Sequence, residues 1–484
     1  MKQPRSPIVA ILGHVDHGKT TLLDYIRKSN ITKKEHGGIT QKIGAYEIDT
    51  GYKDYKTSKI TFIDTPGHEA FSLLRARGAN IADIAILVVD AKDSLMPQTI
   101  ESISHIKAAK IPFIVALNKI DLPEANPEKV KRDLIKYEVL VEGQGGQVPT
   151  VEISAKTGLG VNELLELILL TITDLDLVYD EKNPVQAYVI ETKKDRRGIM
   201  PSLIIKDGAI KVGDFLYDKN EKFKVRSLIN DKGVSVDHVF PSTPFEMSGF
   251  SNLPGVGSIV SNVAKNEEQT TSPVAMKRKN INLDDLLQTP KKEKRLSLLI
   301  KADSVGSLEA IKQSLTKNDN VDIILEAVGE VNKSDVFLAK TTKSIIIGFA
   351  TGVSAEAAEA AKQEKVIIKT YNIIYELLDE LTEVADLLKE KEETEKILKG
   401  EAKILATFII EGEKIYGVKV TKGKINLGDG LEVYRKEKLL GRSKLVSLKI
   451  RAKEVTEVKK NDEAGMVFSP PLDITIGDMI KSIL

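Results

Sequence analysis

The 484-residue chain predicts a multidomain protein that combines α/β sheets with β-barrels. In chain order these are a doubly wound parallel sheet, a β-barrel, a small α/β domain, a long connecting helix and a second β-barrel. Three observations carry this expectation. From Pro7 to about Leu177, apolar strands alternate with helical stretches, the mark of a doubly wound sheet with ligands at the strands' C-terminal ends. From Pro184 to about Val263 the apolar runs shorten, as in Val185-Gln186-Ala187-Tyr188-Val189-Ile190 and Leu203-Ile204-Ile205, and Gly, Asp, Asn and Pro separate them, as in a small antiparallel barrel. Finally, Gly208-Ala209-Ile210-Lys211-Val212-Gly213-Asp214 recurs as Gly423-Lys424-Ile425-Asn426-Leu427-Gly428-Asp429, so the last segment repeats the barrel.

The first element is the strand Ile8-Val9-Ala10-Ile11-Leu12, followed by Gly13-His14-Val15-Asp16-His17-Gly18-Lys19-Thr20 and a helix that begins near Thr21. Strand, glycine-bounded loop and helix give G-x-x-x-x-G-K-[ST] its meaning as a phosphate cradle. Successive backbone N–H groups converge on the phosphates, aided by the helix N-terminus. Lys19 places a point charge between the β- and γ-phosphates, and the Thr20 hydroxyl is set to ligate Mg²⁺. A plain glycine turn is the alternative for this loop.

The nucleotide is read further on. The strand Ile111-Pro112-Phe113-Ile114-Val115-Ala116-Leu117 runs into Asn118-Lys119-Ile120-Asp121. The Asp121 carboxylate accepts from N1–H and the 2-amino group of guanine. Adenine offers neither donor and would leave the charge unpaired. Asn118 can tie loops together and reach the imidazole edge of the base, and the Lys119 stem can cover one ring face. Ser154-Ala155-Lys156 follows the strand Val151-Glu152-Ile153, where the Ala155 N–H would meet guanine O6. Between these segments lies Ile60 to His68. Asp64 ends a strand and would hold Mg²⁺ through water. Thr65 and Pro66 lead to Gly67, whose N–H would bond the γ-phosphate. Thr40, in Gly37-Gly38-Ile39-Thr40, is the candidate second protein ligand to Mg²⁺. Both loops would be ordered by the γ-phosphate and released when it leaves. His68 stands where a residue orienting the attacking water is needed, either as base or only as orienter.

The expected domains are 1–177 (GTP-binding), 178–265 (β-barrel), 266–294 (linker), 295–375 (α/β spacer), 376–399 (connecting helix) and 400–484 (C-terminal barrel). The linker carries Lys277-Arg278-Lys279 and Lys291-Lys292; it reads as a tether or as an RNA-touching arm. In the spacer, Leu296 to Ile300, Ser307 to Leu315 and Ser344 to Gly348 alternate strand and helix without a catalytic cluster. Ile373, Ile374, Leu377, Leu378, Leu381, Val384, Leu387 and Leu388 are read as one helical face; beyond them the helix turns almost wholly charged, as in Glu393-Thr394-Glu395-Lys396, and is expected to act as a rod. With no Cys, disulfides, thiolate nucleophiles and Cys-ligated zinc are excluded. Lys+Arg 71 against Asp+Glu 70 leaves no bulk charge that announces a nucleic-acid binder, so RNA contacts must come from local patches. No apolar run of about 18 residues is present to span a membrane, and the apolar stretch before Gly13 is too short for a signal peptide.

With these residues laid out, the chain resembles the translational GTPases, most closely the bacterial-type translation initiation factor 2 family. The carrying motifs are residues 13–20, Gly37-Gly38-Ile39-Thr40-Gln41, Asp64-Thr65-Pro66-Gly67-His68-Glu69-Ala70-Phe71 and Arg75-Ala76-Arg77-Gly78-Ala79. Met96-Pro97-Gln98-Thr99, Asn118 to Asp121, Ser154 to Lys156, Lys301-Ala302-Asp303 and Tyr371-Asn372-Ile373-Ile374-Tyr375 join them. The resemblance implies a GTPase that docks initiator (formylmethionyl) tRNA on the small ribosomal subunit, promotes subunit joining and then hydrolyses GTP to GDP and phosphate. Ribosomal RNA would trigger hydrolysis by pushing His68 into place past Val15 and Ile39. Partners would be both ribosomal subunits and initiator tRNA, for a monomeric protein of the cytoplasm or of an organelle matrix or stroma. Family members often carry a long N-terminal extension, and the chain is expected to be a short form without its contacts. In the last barrel Lys449, Glu463 and Gly465 match positions that grip the tRNA end. The pattern's two Cys are Val418 and Ala464 here, and a basic-aromatic-basic run reads Ile450-Arg451-Ala452. Drift on a working barrel and relaxed recognition of the formyl group both account for those departures. Two rivals stay open: another translational GTPase of the aminoacyl-tRNA delivery or elongation type, and a nucleotide-locked tRNA- or ribosome-binding protein with little hydrolysis.

Overall fold

The computed structural model describes residues 2–28, 40–219, 221–264, 295–316, 320–410, 413–436, 438–451 and 453–483. Gly37, Gly38 and Ile39, the basic runs of the 266–294 segment, and Ala452 therefore lie outside the described residues. The chain forms two compact units, Met1–Ile281 with Ser297–Thr382, and Asn282–Leu296 with Glu383–Leu484.

The first unit opens with a six-stranded sheet. Its elements are β1 (Ile8–Gly13), α1 (Lys19–Arg27), β2 (Gly44–Asp49), β3 (Lys59–Asp64), α2 (Ser72–Ile81), β4 (Ile84–Asp90), α3 (Pro97–Ala109), β5 (Phe113–Asn118), α4 (Pro127–Ile135), β6 (Thr150–Glu152) and α5 (Val161–Thr171). The strand order is β2-β3-β1-β4-β5-β6, with β2 antiparallel to β3 and the rest parallel. All six residues of β1 are buried, as a central parallel strand covered on both faces requires. Val9, Ile11, Phe62, Ile86, Val88 and Ile114 join Leu164, Ile168 and Leu169 of α5 in the core. Gly13, Asp64, Asp90 and Asn118 close strands β1, β3, β4 and β5, so the loops after them share one edge of the sheet.

A barrel follows, with strands β7 (Gln186–Asp195), β8 (Gly198–Asp207), β9 (Ile210–Lys211), β10 (Phe215–Asp218), β11 (Ser227–Asn230), β12 (Pro244–Ser248) and β13 (Ile259–Ser261). The main sheet runs β10-β13-β7-β8-β12-β11 around a core that includes Val189, Leu203, Leu216 and Met247. The same unit holds an α/β layer of β14 (Leu296–Ala302), α6 (Val305–Leu315), β15 (Val321–Val328), α7 (Lys333–Thr342), β16 (Ile345–Phe349), α8 (Ala355–Glu364) and β17 (Ile368–Tyr371), with strand order β15-β14-β16-β17. Ser304, Asn332 and Ser354 cap its three helices through their side chains.

Helix α9 runs Ile374–Ile397. Its buried stripe is Ile374, Leu377, Leu381 and Ala385, whereas Leu387 is 51% exposed. The expectation that placed Leu387 on the buried face is thereby corrected: six residues beyond Leu381 the helix has turned about 240° away, while Ala385 lies one turn on.

The second unit carries a barrel of β18 (Leu398–Ile410), β19 (Glu413–Asn426), β20 (Gly430–Arg435), β21 (Lys438–Ile450), β22 (Glu463–Ser469) and β23 (Met479–Ile483). The order β18-β23-β20-β21-β22-β19 closes on itself through β18–β19 pairing. The repeat seen in the sequence is one corner built twice. In the first barrel Gly213 N donates to Val225 O (2.9 Å), Val225 N to Asp214 O (2.9 Å) and Lys211 N to the Asp214 carboxylate (2.8 Å). In the second, Gly428 N donates to Leu445 O (2.9 Å), Leu445 N to Asp429 O (3.0 Å) and Asn426 N to the Asp429 carboxylate (2.8 Å). Both second glycines have positive φ, 97° at Gly213 and 89° at Gly428, which L side chains adopt at a cost.

Candidate functional site at the phosphate loop

The loop after β1 is shaped by what it touches. Gly13 has φ 143°, and a side chain there would collide with the Val88 carbonyl of β4. Gly18, φ 88°, caps α1, and a Cβ there would strike the Asn118 amide. Asp16 also has positive φ, 63°. The Lys19 ammonium is buried and donates to His14 O at 2.5 Å. Burial draws its pKa down to about 8, and the Asp64 carboxylate partly opposes the shift. Val15 N donates to the Gln98 side chain at 3.0 Å, which ties the loop to α3. His17 is buried and its pKa is drawn down to about 3, by burial first, then by His14 and Lys19. Burial likewise lowers His14, whose ring lies 5.0 Å from that of His17.

Asn118 is the joint of the base-reading segments. Its Nδ2 donates to His17 O (2.8 Å) and its Oδ1 accepts from Ala155 N (2.9 Å). The Ala155 N–H, expected to meet guanine O6, is thus held by Asn118 here. Ser154 Oγ donates to the exposed Asp121 carboxylate at 2.7 Å and accepts from Thr157 N at 3.2 Å. Lys119 has φ 65°, and its ammonium meets the buried Asp90 carboxylate at 2.6 Å. Burial alone would raise Asp90; the Lys119 ammonium and the Lys92 N–H outweigh it and hold the carboxyl below its usual range. Lys156 is exposed and joins none of these contacts.

The loop after β3 folds back toward the phosphate loop. Asp64 is buried. Thr65 Oγ1 donates to Ile11 O at 2.7 Å, so that hydroxyl braces the loop against β1. Gly67 sits so close that a Cβ would lie 2.5 Å from Lys19 Nζ and 2.8 Å from Val15 N. Pro66 O (3.0 Å) and His68 O (2.5 Å) both accept from Arg75 Nη1, and the Nη2 of this fully buried arginine pairs with Glu101 at 2.7 Å. The His68 Nδ1 accepts from Ala70 N at 2.9 Å and so caps a short 3₁₀ turn. Its Nε2 is buried without a hydrogen-bond partner, and burial, then Arg75, draws the imidazole down to about 4.

Val15, Asp16, Gly18, Lys19, Thr20, Thr21, Thr40, Gly67, His68 and Lys119 line one cleft of about 190 Å³. The Thr20 and Thr40 hydroxyls meet there at 2.6 Å. Two adjoining hydroxyls, with the buried Asp64 carboxylate close enough to raise the Lys19 pKa, suit a hard oxygen-bound cation. Among the described residues no group of three or more His, Cys, Asp or Glu could hold a metal. Mg²⁺ commonly takes one or two protein oxygens and completes its shell with phosphate and water. Reading the motifs alone missed the supports: Gln98, Asp90 and the grip of Arg75. The signals were present, since Asp90 ends a strand at the sheet's ligand edge and Arg75 interrupts an apolar helix face.

In the terminal barrel Lys449 and Gly465 are register partners on β21 and β22, and Glu463 faces Lys419 at 3.6 Å. Lys449 and Glu463 are exposed. Val418 and Ala464 pair across β19 and β22 and are buried in the barrel core, on the opposite face of β22 from Glu463 and Gly465.

Residues 4–174 match the model of the elongation factor Tu GTP binding domain, residues 184–263 that of elongation factor G domain 2, and residues 273–382 that of translation-initiation factor 2. Sheet order, phosphate loop and matched models define a translational GTP-binding protein. Translation initiation factor IF-2 of Thermotoga sp. (strain RQ2) is 42% identical over 99% of this chain and 71% of its own length. The factors of that name from Nitrobacter winogradskyi and Bartonella tribocorum are 42% and 43% identical over 99% of the chain, and it covers 57% and 59% of their lengths. The chain belongs to the translation initiation factor IF-2 family. It spans under three fifths of those last two relatives. Among the described residues no helix is long and apolar enough to cross a membrane.

Proposed function

We propose that the chain binds GTP with Mg²⁺, docks initiator tRNA on the small ribosomal subunit, promotes joining of the large subunit and hydrolyses GTP when the subunits join. Membership of the IF-2 family supports the pathway. The observation that carries the chemistry is the cleft, where Lys19, Thr20, Thr40, Gly67 and His68 converge. In this reading residues 1–177 hold the nucleotide, 178–265 and 295–375 brace it, 266–294 links them, and 376–399 leads to 400–484, whose Lys449, Glu463 and Gly465 face the tRNA end. The protein acts as a monomer in the cytoplasm.

A phosphate entering the cleft gives the Lys19 ammonium an anionic partner that opposes the burial and the Arg75 charge that depress it. Asp121, fixed by Ser154, reads the guanine N1–H and 2-amino group. Thr20 and Thr40, with Asp64 through water, would hold Mg²⁺, which would supply charge neutralisation for the phosphates. The Gly67 N–H bonds the γ-phosphate. The neutral His68 orients the water whose oxygen attacks the γ-phosphorus as the bond to the β-phosphate oxygen breaks.

The test is phosphate release from GTP with and without ribosomes and initiator tRNA. Ribosomes are expected to stimulate the wild type. His68→Ala is expected to keep GTP affinity and lose about 10³-fold or more of that stimulated rate, as removal of a transition-state group does. Subunit joining should persist in the mutant while release stalls. Near-normal turnover would return His68 to a structural role.

A further inference from the structure

The α/β layer, expected only as a spacer, touches both loops that border the cleft. Gln41, next to Thr40, donates through Nε2 to Asn372 O (2.8 Å) and accepts through Oε1 from Ile374 N (3.0 Å). One side-chain amide thus pairs with two backbone groups at the start of α9. Lys42 pairs with Asp303, and Arg77 of α2 with Glu309 of α6 (2.5 Å). At the second residue of α9, the Tyr375 ring lies against the His68 imidazole, centroids 3.9 Å apart and planes inclined by 43°.

The imidazole has little freedom left. Because Nδ1 accepts the Ala70 N–H, the ring proton is assigned to Nε2. That N–H is buried without a partner, an arrangement that costs free energy and persists only where the surrounding packing enforces it. Phe71 meets the other ring contact edge-on, with centroids 6.0 Å apart. To present a nitrogen to water at the γ-phosphate, His68 must leave its cap or open its buried Nε2, and Tyr375 opposes both.

We propose that Tyr375 is a positioning residue for hydrolysis: stacked on His68 and held in place by the clasp of Gln41 on α9, it keeps the imidazole parked until the α/β layer shifts. This rests on the reading of the site as a GTPase in which His68 orients water. It adds that the layer outside the nucleotide sheet sets when His68 is free to do so.

Ribosome-free GTP turnover of the full chain provides the test. Tyr375→Ala is expected to raise kcat about 2- to 10-fold, the range an aromatic pair accounts for, with KM for GTP unchanged. Tyr375→Phe, which keeps the ring, should retain the low rate, and Gln41→Ala should raise it through the other end of the clasp. In a His68→Ala background Tyr375→Ala should change nothing. An unchanged or lowered kcat in Tyr375→Ala overturns the proposal. A second readout needs no turnover. The chain has no Trp, so Tyr375→Trp gives a single reporter, and its emission should change when His68→Ala is added. Identical spectra would show that the rings do not touch and would also sink the proposal. Should the spectra respond while no protein hydrolyses GTP even on ribosomes, the GTPase reading fails and the contact stands.

Discussion

At the residue scale, the site is made of groups held away from their ordinary solution behaviour by neighbours. Asp121 is exposed but aimed, since Ser154 Oγ fixes one of its oxygens at 2.7 Å. Asp121→Asn replaces an acceptor with an amide that suits the 2-oxo group of xanthine. GTP binding should fall by about 10⁴-fold and XTP binding should appear. A mutant that still prefers GTP in competition binding would exclude Asp121 as the guanine reader. His17 and His68 make stability depend on pH. Burial holds them neutral, with pKa about 3 and about 4, whereas in the unfolded chain both titrate near 6.5. Below pH 6.5 the unfolded chain takes up protons that the folded chain refuses, so stability is fully present above that pH and falls on acidification. Each histidine adds a slope approaching about 1.4 kcal/mol per pH unit until its folded pKa is reached. Asp90 N donates to His17 Nδ1 at 3.3 Å; urea midpoints at pH 7 and pH 5 should differ clearly in the wild type and less in His17→Asn, whose amide oxygen can still accept that bond. The motif residues were legible because each group stands at a fixed spacing at the end of an apolar strand, Gly13 to Thr20 at β1 and Asn118 to Asp121 at β5. The roles of Gln98, Asp90 and Arg75 were only hinted at: Val15 and Lys119 lie 83 and 29 residues from Gln98 and Asp90, and although Pro66 and His68 are only 9 and 7 residues from Arg75, only the fold turns its side chain onto their carbonyls.

At the scale of the element, burial on both faces decides legibility. Strand β1 is apolar throughout and reads as a central strand, and the capped helices of the α/β layer announce their starts. Asn332 and Asp335 exchange bonds of 3.1 and 2.9 Å at the start of α7 in a capping box, and Asp335 also meets Lys301 at 3.2 Å. Asn332→Ala should destabilise the first unit by about 1 kcal/mol, seen as a lower Tm with GTP affinity intact. An unchanged Tm would mean that Asp335 and Lys301 hold the helix start without it. Helix α9 shows where reading fails. Leu387 was placed inside by counting apolar residues, while the small Ala385 holds the buried position. Side-chain size misleads there, and angular position decides.

At the scale of the molecule, the closed ring of the terminal barrel makes it a candidate for independence. Six strands leave no open edge between β18 and β19, and Ile404, Val418, Val433, Leu448 and Met466 supply a core of their own. Residues 400–484 alone should fold cooperatively and bind the aminoacyl end of initiator tRNA. Discrimination between formylated and unformylated methionyl-tRNA should stay below about 100-fold, roughly 2.7 kcal/mol. Binding of both forms to the fragment decides it, and a stronger preference would show a pocket rebuilt by other residues. Val418 and Ala464 bear on this only through the core, since both side chains point inward, which favours drift as the account of those two positions.

The corner that both barrels share makes the molecule its own control. Asp214 and Asp429 accept the same backbone bond from the residue three positions earlier, at 2.8 Å in each case. Asp429 alone also binds Lys399 at 2.7 Å and Ser482 at 2.7 Å. Replacing each aspartate with alanine subtracts one common interaction from two settings. The difference between the two losses then isolates what the lysine and serine contribute, with chain, solvent and temperature held constant. Asp429→Ala should therefore be the costlier change, and its cost should approach that of Asp214→Ala once Lys399 and Ser482 are also removed.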